Sequence, residues 1–242
     1  MNSGDHLSRQ YDQELEDLRT RILTMGGLVE QQLSTAIEAY ERPDLALADR
    51  AIDTDRKVNE EEVELDRVVV NLIVRRQPTA RDLRLIIGVA RIVTELERTG
   101  DEATKIARAA RWLSDRNRNV RAPRLRDIHL SALAASRMLR GALDAFAHLD
   151  GTAAAAIIAE DRDVDQQFHA ILRQLITFMM EDPRTITPSL DAVWVAKAIE
   201  RIGDHAKNIA QHVIFVAHGE DVRHATPEQL ARALSSQEGP TG

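Results

Sequence analysis

Long stretches of this sequence carry apolar residues at intervals of three and four. This spacing places the apolar side chains on one face of an α-helix, whereas a half-buried strand would need strict alternation. Helix-breaking residues are sparse, with 11 Gly and 7 Pro among 242 residues. The pattern therefore predicts an all-α protein. The clearest row consists of Leu15, Leu18, Ile22, Met25, Val29, Leu33 and Ile37.

Prolines and polar breaks divide the chain into six long predicted helices. Asp44 and Ser189 follow Pro43 and Pro188, and we expect both to be N-caps because their side-chain oxygens can accept a hydrogen bond from the first helical turn. The basic, polar stretch 117–123 predicts the break between two halves of the chain. The predicted helices span 6–41, 44–76, 80–115, 124–148, 152–181 and 189–218, with a further short helix near 228–234.

Composition excludes several classes of protein. The chain has 32 Lys and Arg against 39 Asp and Glu, a net charge of −7, and few aromatic residues, so we expect no nucleic-acid partner. It has no Cys, which excludes a disulfide framework and a Cys-based zinc site and fits a reducing cytoplasm. The longest stretch without Asp, Glu, Lys or Arg is 208–219. Spanning a bilayer takes about 20 mostly apolar residues, so no direct membrane span is expected.

The sequence also contains an internal repeat. Residues 97–107 align with 200–210, and seven of the eleven positions are identical, including charged ones that a shared core explains poorly. A weaker match, 55–59 with 161–165, lies 42 residues upstream in the first half and 39 in the second. Each half therefore carries the same helix pair, and a third helix completes it. We expect two pseudo-symmetric three-helix bundles at 1–118 and 124–220, followed by a short C-terminal tail at 221–242.

Acidic residues continue the apolar rows of the duplicated helices. Glu97 lies four residues after Val93 and shares a helix face with Asp101. A buried carboxylate without a partner must bind a proton, pair with a cationic side chain or ligate a metal ion. Hard cations such as Mg²⁺ and Mn²⁺ take oxygen ligands, and iron also accepts carboxylates. Each half therefore offers a candidate metal patch on its second and third helices.

Two alternatives concern the same helices. Glu97 and Glu200 could instead pair with arginines on neighbouring helices. Gly100 and Gly203, which lie between the paired acids, would permit close helix packing or leave room for a bound metal cluster.

Several longer segments together identify a resemblance. Residues 25–33, 76–84 and 179–184, with both Glu-Arg-x-Gly-Asp motifs, resemble the PhoU family of bacterial phosphate regulators. The resemblance implies a cytoplasmic protein, frequently a homodimer, that couples the ATPase of a phosphate ABC transporter to a membrane sensor histidine kinase. Such a protein is a negative regulator of phosphate uptake and of the phosphate-starvation response.

The resemblance also implies divalent metal cofactors, either Mg, Mn or Fe. One motif differs between the halves, because Lys105 occupies the place of Asn208 and could neutralise the first set of acids. We therefore expect the second site to be the stronger one. The metal positions that the resemblance carries over are Asp55, Asn59, Glu97, Asp101, Asp161, Asp165, Glu200 and Asp204, to which Asn208 is added from the spacing of the second motif.

Two other functions remain open. A di-metal carboxylate enzyme would use Glu-x-x-His motifs, but Gly100 and Gly203 occupy the third position after Glu97 and Glu200, which favours a protein that is not an enzyme. A metal-free helical adaptor is the other alternative, in which the acids form salt bridges. Four late histidines are expected to be scattered on the surface, namely His205, His212, His218 and His224.

Overall fold

A computed structural model describes residues 3–115 and 126–235, and every regular element in these two segments is helical. No helix within them combines the length and the apolar character that a membrane crossing requires. The predicted break at 117–123 and the bundle limits at 118 and 124 lie outside the described residues. The helices are α1 Ser3–Glu41, α2 Leu45–Arg76, α3 Ala80–Asp115, α4 Arg126–His148, α5 Gly151–Glu181, α6 Ile186–His218 and the short α7 Pro227–Ser235.

The two predicted N-caps have different outcomes. Asp44 is confirmed, because its Oδ1 accepts a hydrogen bond from the backbone N–H of Leu47 at 3.1 Å. Ser189 is wrong: α6 already begins at Ile186, after a 3₁₀ turn at Pro183–Thr185. Pro188 is compatible with this start because the first turn of a helix has no use for its backbone N–H groups. Ser189 is buried inside the helix instead.

The six long helices form two three-helix bundles. In the first half (residues 3–115), α1, α2 and α3 each pack against the other two, and in the second half (126–235) α4, α5 and α6 do the same. The halves meet through α3 against α6 and through α1 against α4. One continuous cluster of buried apolar side chains includes members from all seven helices. The core therefore runs through both bundles.

Glycines allow the two halves to approach closely at two places. A Cβ atom at Gly88 on α3 would lie 2.2 Å from Val216 Cγ2 on α6, and one at Gly26 on α1 would lie 2.8 Å from the Leu143 side chain on α4. Cβ atoms essentially never lie closer than 3.0 Å to such a neighbour. The interface between the bundles is therefore packed against glycine backbone at both crossings.

Candidate functional site

The predicted acids of the first half lie on α2 and α3, near enough to influence one another electrostatically. Asp55 lies on α2 and is half-buried, while Asn59, one turn further, is exposed. Gly100 on α3 faces them, because a Cβ there would lie 3.0 Å from Gln32 Oε1 and 3.5 Å from Asp55 Oδ1. In the second half, a Cβ at Gly203 would lie 3.3 Å from Val164. Gly203 therefore lies in close contact with the neighbouring helix, whereas Gly100 faces oxygen atoms, and the choice there between close packing and room for a metal stays a prediction.

Gln32 connects the three helices of the first bundle. Its side chain is fully buried, and its Nε2 lies within hydrogen-bonding distance of Asp55 Oδ1 at 3.1 Å, the Gly100 carbonyl at 3.0 Å and Thr104 Oγ1 at 3.0 Å. Its Oε1 is buried without a hydrogen-bond partner. Such an unpaired oxygen is costly in a protein interior. Gln32 therefore places an unpaired oxygen atom, a possible metal ligand, beside the predicted acids.

The carboxylates of the first half repel one another. We call Asp55, Glu62, Glu97 and Asp101 the first acidic cluster. Burial raises the pKa of Glu97 above its usual value, and the charges of Asp101, Glu62 and Asp55 raise it further. Burial likewise raises the pKa of Glu62, with Asp66 and Asp101 adding to the effect. Within the described segments, none of these four acids forms an ion pair with a Lys, Arg or His side chain.

Lys105 does not neutralise this cluster, contrary to the prediction. Its Nζ binds Glu102 Oε1 at 2.7 Å on the same helix. Glu102 is three residues before Lys105 and buried, so it lies on a different face of α3 from Glu97 and Asp101. The neighbouring Arg98 also turns away, toward Glu95 at 3.2 Å. Neither of these two cations therefore pairs with the first acidic cluster.

The second half has cations in place. Lys207 Nζ lies 2.5 Å from Asp161 Oδ2 and 2.9 Å from Asp204 Oδ1, and so joins α5 to α6. Lys197 Nζ lies 2.5 Å from Glu200 Oε1. Burial alone would lower the pKa of Lys207, but the two carboxylates that accept its hydrogen bonds raise it. Lys207 therefore stays charged and provides the positive charge that a metal ion would otherwise supply.

Two acids of the second half are less well compensated. Burial raises the pKa of Asp161, and Lys207 offsets this only in part. Glu200 Oε2 is buried without a hydrogen-bond partner. Asp165 is half-buried on the same helix as Asp161. Within residues 3–115 and 126–235, the arginine pairing proposed for Glu97 and Glu200 is not observed, and the cation that binds Glu200 is a lysine of its own helix.

Asn208 is turned away from the acids of its own bundle. Its Nδ2 donates a hydrogen bond to Glu95 Oε2 on α3, at 3.1 Å, and His205 Nδ1 lies 2.7 Å from the same oxygen. Glu95 is buried, which favours its neutral form, but the hydrogen bonds from His205 and Asn208 lower its pKa below the usual value. His205 therefore belongs to a contact between the halves, and its expected place among scattered surface histidines is wrong. His212 is also buried, and burial lowers its pKa to about 4.

The polar partners Gln32, Glu95 and Glu102 were not predicted from the sequence. Gln32 lies three residues after Val29 and four before Ala36, on the apolar row of α1, and Glu95 lies three residues after Ile92. A polar side chain at such a place is a detectable signal of a buried hydrogen bond. Its partner could not be found in the same way, because it lies on another helix.

The oxygen atoms at the candidate sites suit a hard cation, but their side chains are not drawn together around one point. In the segments that the structure describes, no three His, Asp or Glu side chains are grouped so that they could hold a metal ion. The metal positions predicted in both halves therefore stay a prediction. Two features at the first acidic cluster fit the binding of a hard cation, which takes oxygen ligands. They are the raised pKa values of Glu62 and Glu97 and the unpaired Gln32 Oε1.

These features define a class, that of helical proteins built from two related three-helix bundles with paired acids on the second and third helix of each. The PhoU domain model matches this chain twice, at residues 22–110 and 129–213. The chain belongs to the PhoU family.

Individual relatives support this membership over nearly the full length. The phosphate-specific transport system accessory protein PhoU of Escherichia coli (strain K12) is 42% identical over 238 residues, which cover 98% of each chain. The crystal structure of PhoU from Pseudomonas aeruginosa superposes with a TM-score of 0.83 at 41% identity, covering 87% of this chain and 100% of that one. The phosphate transport system regulatory protein PhoU from Streptococcus pneumoniae gives a TM-score of 0.80 at 26% identity, covering 88% and 99%.

Proposed function

We propose that this chain is a regulatory accessory protein of a phosphate-specific transport system. The observation that carries the proposal is the 42% identity to an accessory protein of that system over 98% of both chains. The duplicated acidic motif supports it, because both copies occupy matching places in the two bundles. In this role the protein restrains phosphate uptake and keeps the phosphate-starvation response off when phosphate is plentiful.

The proposal includes partners and a location. The chain binds the ATPase of a phosphate ABC transporter and a membrane sensor histidine kinase, acts in the cytoplasm and forms a homodimer. It works by binding and not by catalysis. Gly100 and Gly203 support this part, because they stand where a di-metal carboxylate enzyme of helical-bundle type would have its histidines. Residues 1–118 and 124–220 act as its two related units.

A metal ion is a further part of the proposal. The first acidic cluster, together with Gln32 Oε1, would hold a divalent cation such as Mg²⁺, Mn²⁺ or Fe²⁺. The bound cation would supply positive charge where the carboxylates now repel one another. Asp161, Asp165, Glu200 and Asp204 form the second candidate set, but Lys207 already supplies positive charge there. We therefore assign the tighter site to the first half, which reverses the expectation from Lys105.

A metal-free adaptor is the second candidate function. The observation that favours it is the pair of contacts from Lys207 to Asp161 and Asp204, which shows that this fold can neutralise its acids with a lysine. In that case the helices of both halves would serve only as binding surfaces for partner proteins. Metal analysis of the purified chain separates the two candidates.

Deletion of the gene tests the regulatory function. A reporter for a phosphate-starvation promoter should become active in high phosphate when the chain is absent. The intact chain, supplied in trans, should restore repression. Normal repression in the deletion strain would contradict the proposed function whatever the chain binds.

A further inference from the structure

One outward face of α6 carries a row of large apolar side chains that remain substantially exposed in the described structure. Ile186, Leu190 and Trp194 are 42%, 47% and 72% exposed. They follow one another at intervals of four residues and therefore share a helix face. Exposed side chains of this size are expensive to leave in water when they lie together, so a contiguous row indicates an interaction surface.

This row leads into a cleft between α3 and α6, which we call the α3–α6 cleft. Its volume is about 340 Å³, and small side chains such as Ala109 and Ala198 form part of its wall beside Trp194. Ligand pockets commonly measure about 300–1,000 Å³, so this cleft is at the small end. It has room for a protruding side chain and lies between the two halves of the molecule.

The cleft has a positive rim on a negative protein. Lys105, Lys197 and Arg201 line it, against one lining acid, Glu102, and Lys197 also pairs with Glu200 at 2.5 Å beside the cleft. Glu102 is buried and already accepts hydrogen bonds from Lys105 at 2.7 Å and from Arg201 at 3.1 Å. The three cationic side chains nevertheless remain 37–52% exposed, so they still present N–H donors to the solvent. The whole chain has a net charge of −7, which makes this rim a local exception.

We infer that the face from Ile186 to Arg201, with the α3–α6 cleft, binds an acidic segment of a partner protein. An apolar side chain of that segment would enter the cleft beside Trp194. The carboxylates of the segment would pair with Lys197, Arg201 and Lys105. Buried aromatic anchors surrounded by complementary charge are the usual energetic centre of such interfaces. The inference rests on the proposed function only in requiring that the chain works by binding proteins.

The shape of this face favours a peptide segment over a small anion. Positions 186, 190, 194, 197 and 201 lie within one narrow stripe of α6 and span roughly 22 Å at about 1.5 Å per residue. A phosphate ion or a nucleotide would use only the cleft and would leave the apolar row uncovered. An amphipathic segment laid along the stripe would cover both parts, as in helix-in-groove recognition.

Photo-cross-linking in the native cells tests the inference with the full chain. A photo-reactive amino acid replaces Leu190, and a matched one replaces Val70, which is 60% exposed on the remote helix α2. Cross-linked peptides are sequenced by mass spectrometry. The yield at position 190 is then compared in three backgrounds: Trp194→Ala, Lys197→Gln with Arg201→Gln, and the control Arg162→Gln with Arg173→Gln, which removes the same charge from exposed sites on α5.

We expect position 190 to capture a segment of another protein with a surplus of Asp and Glu around an apolar residue. Trp194→Ala and the Lys197/Arg201 pair should each lower the yield at least about fivefold, as truncation of an interface centre does, whereas the α5 control leaves it unchanged. Trp194 is largely exposed, so its variant decides the matter even if the charge variant folds poorly. A neutral or basic segment, a second copy of this chain, capture no greater than at position 70, or a yield insensitive to the variants would overturn the inference. The deletion reporter, measured separately, reports on the proposed function.

Discussion

The residues Thr104 and Lys207 occupy the same place in the internal repeat, and only Lys207 brings a positive charge to the acids of its half. Lys207 binds the acids Asp161 and Asp204, whereas Thr104 lies 3.0 Å from Gln32 Nε2 and brings no charge. The acids could be predicted from the sequence because they repeat. Their partners could not, because Lys105 and Lys207 lie on different faces of equivalent helices and only side-chain direction distinguishes their roles.

Replacement of Glu97 by Gln should raise the melting temperature of the metal-free protein at pH 7. The pKa of Glu97 is raised in the folded chain, so its ionised form opposes folding above that pKa. Removing a like-charge pair at this spacing contributes about 0.2–0.5 kcal/mol, or about 1–2 °C for a chain of this size.

The advantage of Glu97→Gln should shrink with falling pH. As the pH falls through the raised pKa towards 4.5, the wild-type side chain takes up a proton and the repulsion disappears. Thermal unfolding between pH 7 and pH 4, in the presence of a chelator, measures the difference. An equal difference at every pH would show that packing, and not charge, is responsible.

Divalent metal should stabilise the chain through the first acidic cluster. A cation that binds only the folded state contributes about 2.7 kcal/mol at a hundredfold excess over its Kd, which corresponds to a rise in Tm of roughly 5–10 °C. The double change Glu97→Gln with Asp101→Asn should abolish that rise. Differential scanning calorimetry with added Mn²⁺ or Mg²⁺ gives the measurement.

The matched change in the second half provides the control. Glu200→Gln with Asp204→Asn removes the negative charge that pairs with Lys197 and one of the two that pair with Lys207, so it should lower the Tm in a chelator. The rise on adding metal should persist in this variant. If metal has no effect on the wild-type chain, or if the rise is lost only in the second-half variant, the assignment of the tighter site to the first half is wrong.

At the scale of the helices, apolar periodicity together with prolines and polar breaks predicted the six long elements, and a short helix near 228–234 was also expected. The start of α6 was predicted wrongly because a proline marks a helix start without fixing its position within the first turn. The side-chain cap lies seven residues earlier than the predicted Ser189. Asp182 Oδ1 accepts a hydrogen bond from the backbone N–H of Arg184 at 3.0 Å and caps the 3₁₀ turn that precedes α6. The close helix crossings could not be predicted from the sequence either. Gly27 and Gly88 both lie inside predicted helices, but only Gly88 is packed against another helix.

Alanine at these two glycines should change stability in opposite directions. Gly88→Ala would place a methyl group against Val216, so it should lower the free energy of unfolding by about 1–3 kcal/mol, the usual cost of overpacking. Gly27 is exposed and has nothing within 4 Å of its Cβ position, so Gly27→Ala should raise the free energy of unfolding by about 0.5–1 kcal/mol.

Urea unfolding of the two variants measures both effects. Val216→Ala should restore part of the stability that Gly88→Ala removes, because it vacates the space that the new methyl group needs. A destabilisation that is independent of residue 216 would contradict the tight crossing of α3 and α6.

At the scale of the whole molecule, the repeat predicted two bundles but not how firmly they join. The continuous apolar core crosses from one half to the other. Polar contacts cross as well, from Glu95 to His205 and Asn208 and from Glu102 to Arg201. The sequence offers little sign of these contacts, because residues a hundred positions apart have no periodic relation. Two bundles with a shared core should unfold together.

The two tryptophans report on that coupling, since Trp112 lies in α3 and Trp194 in α6. Single-tryptophan chains, made with Trp194→Phe or Trp112→Phe, should show coincident urea transitions by fluorescence. Leu65 is fully buried in α2, so Leu65→Ala should cost about 2–5 kcal/mol, and the Trp194 transition should shift as far as the Trp112 transition. Val70→Ala, on the exposed side of α2, should shift neither by a comparable amount. If Leu65→Ala moves the Trp112 transition alone, each bundle folds independently, and the contacts of α3 with α6 only dock two finished domains.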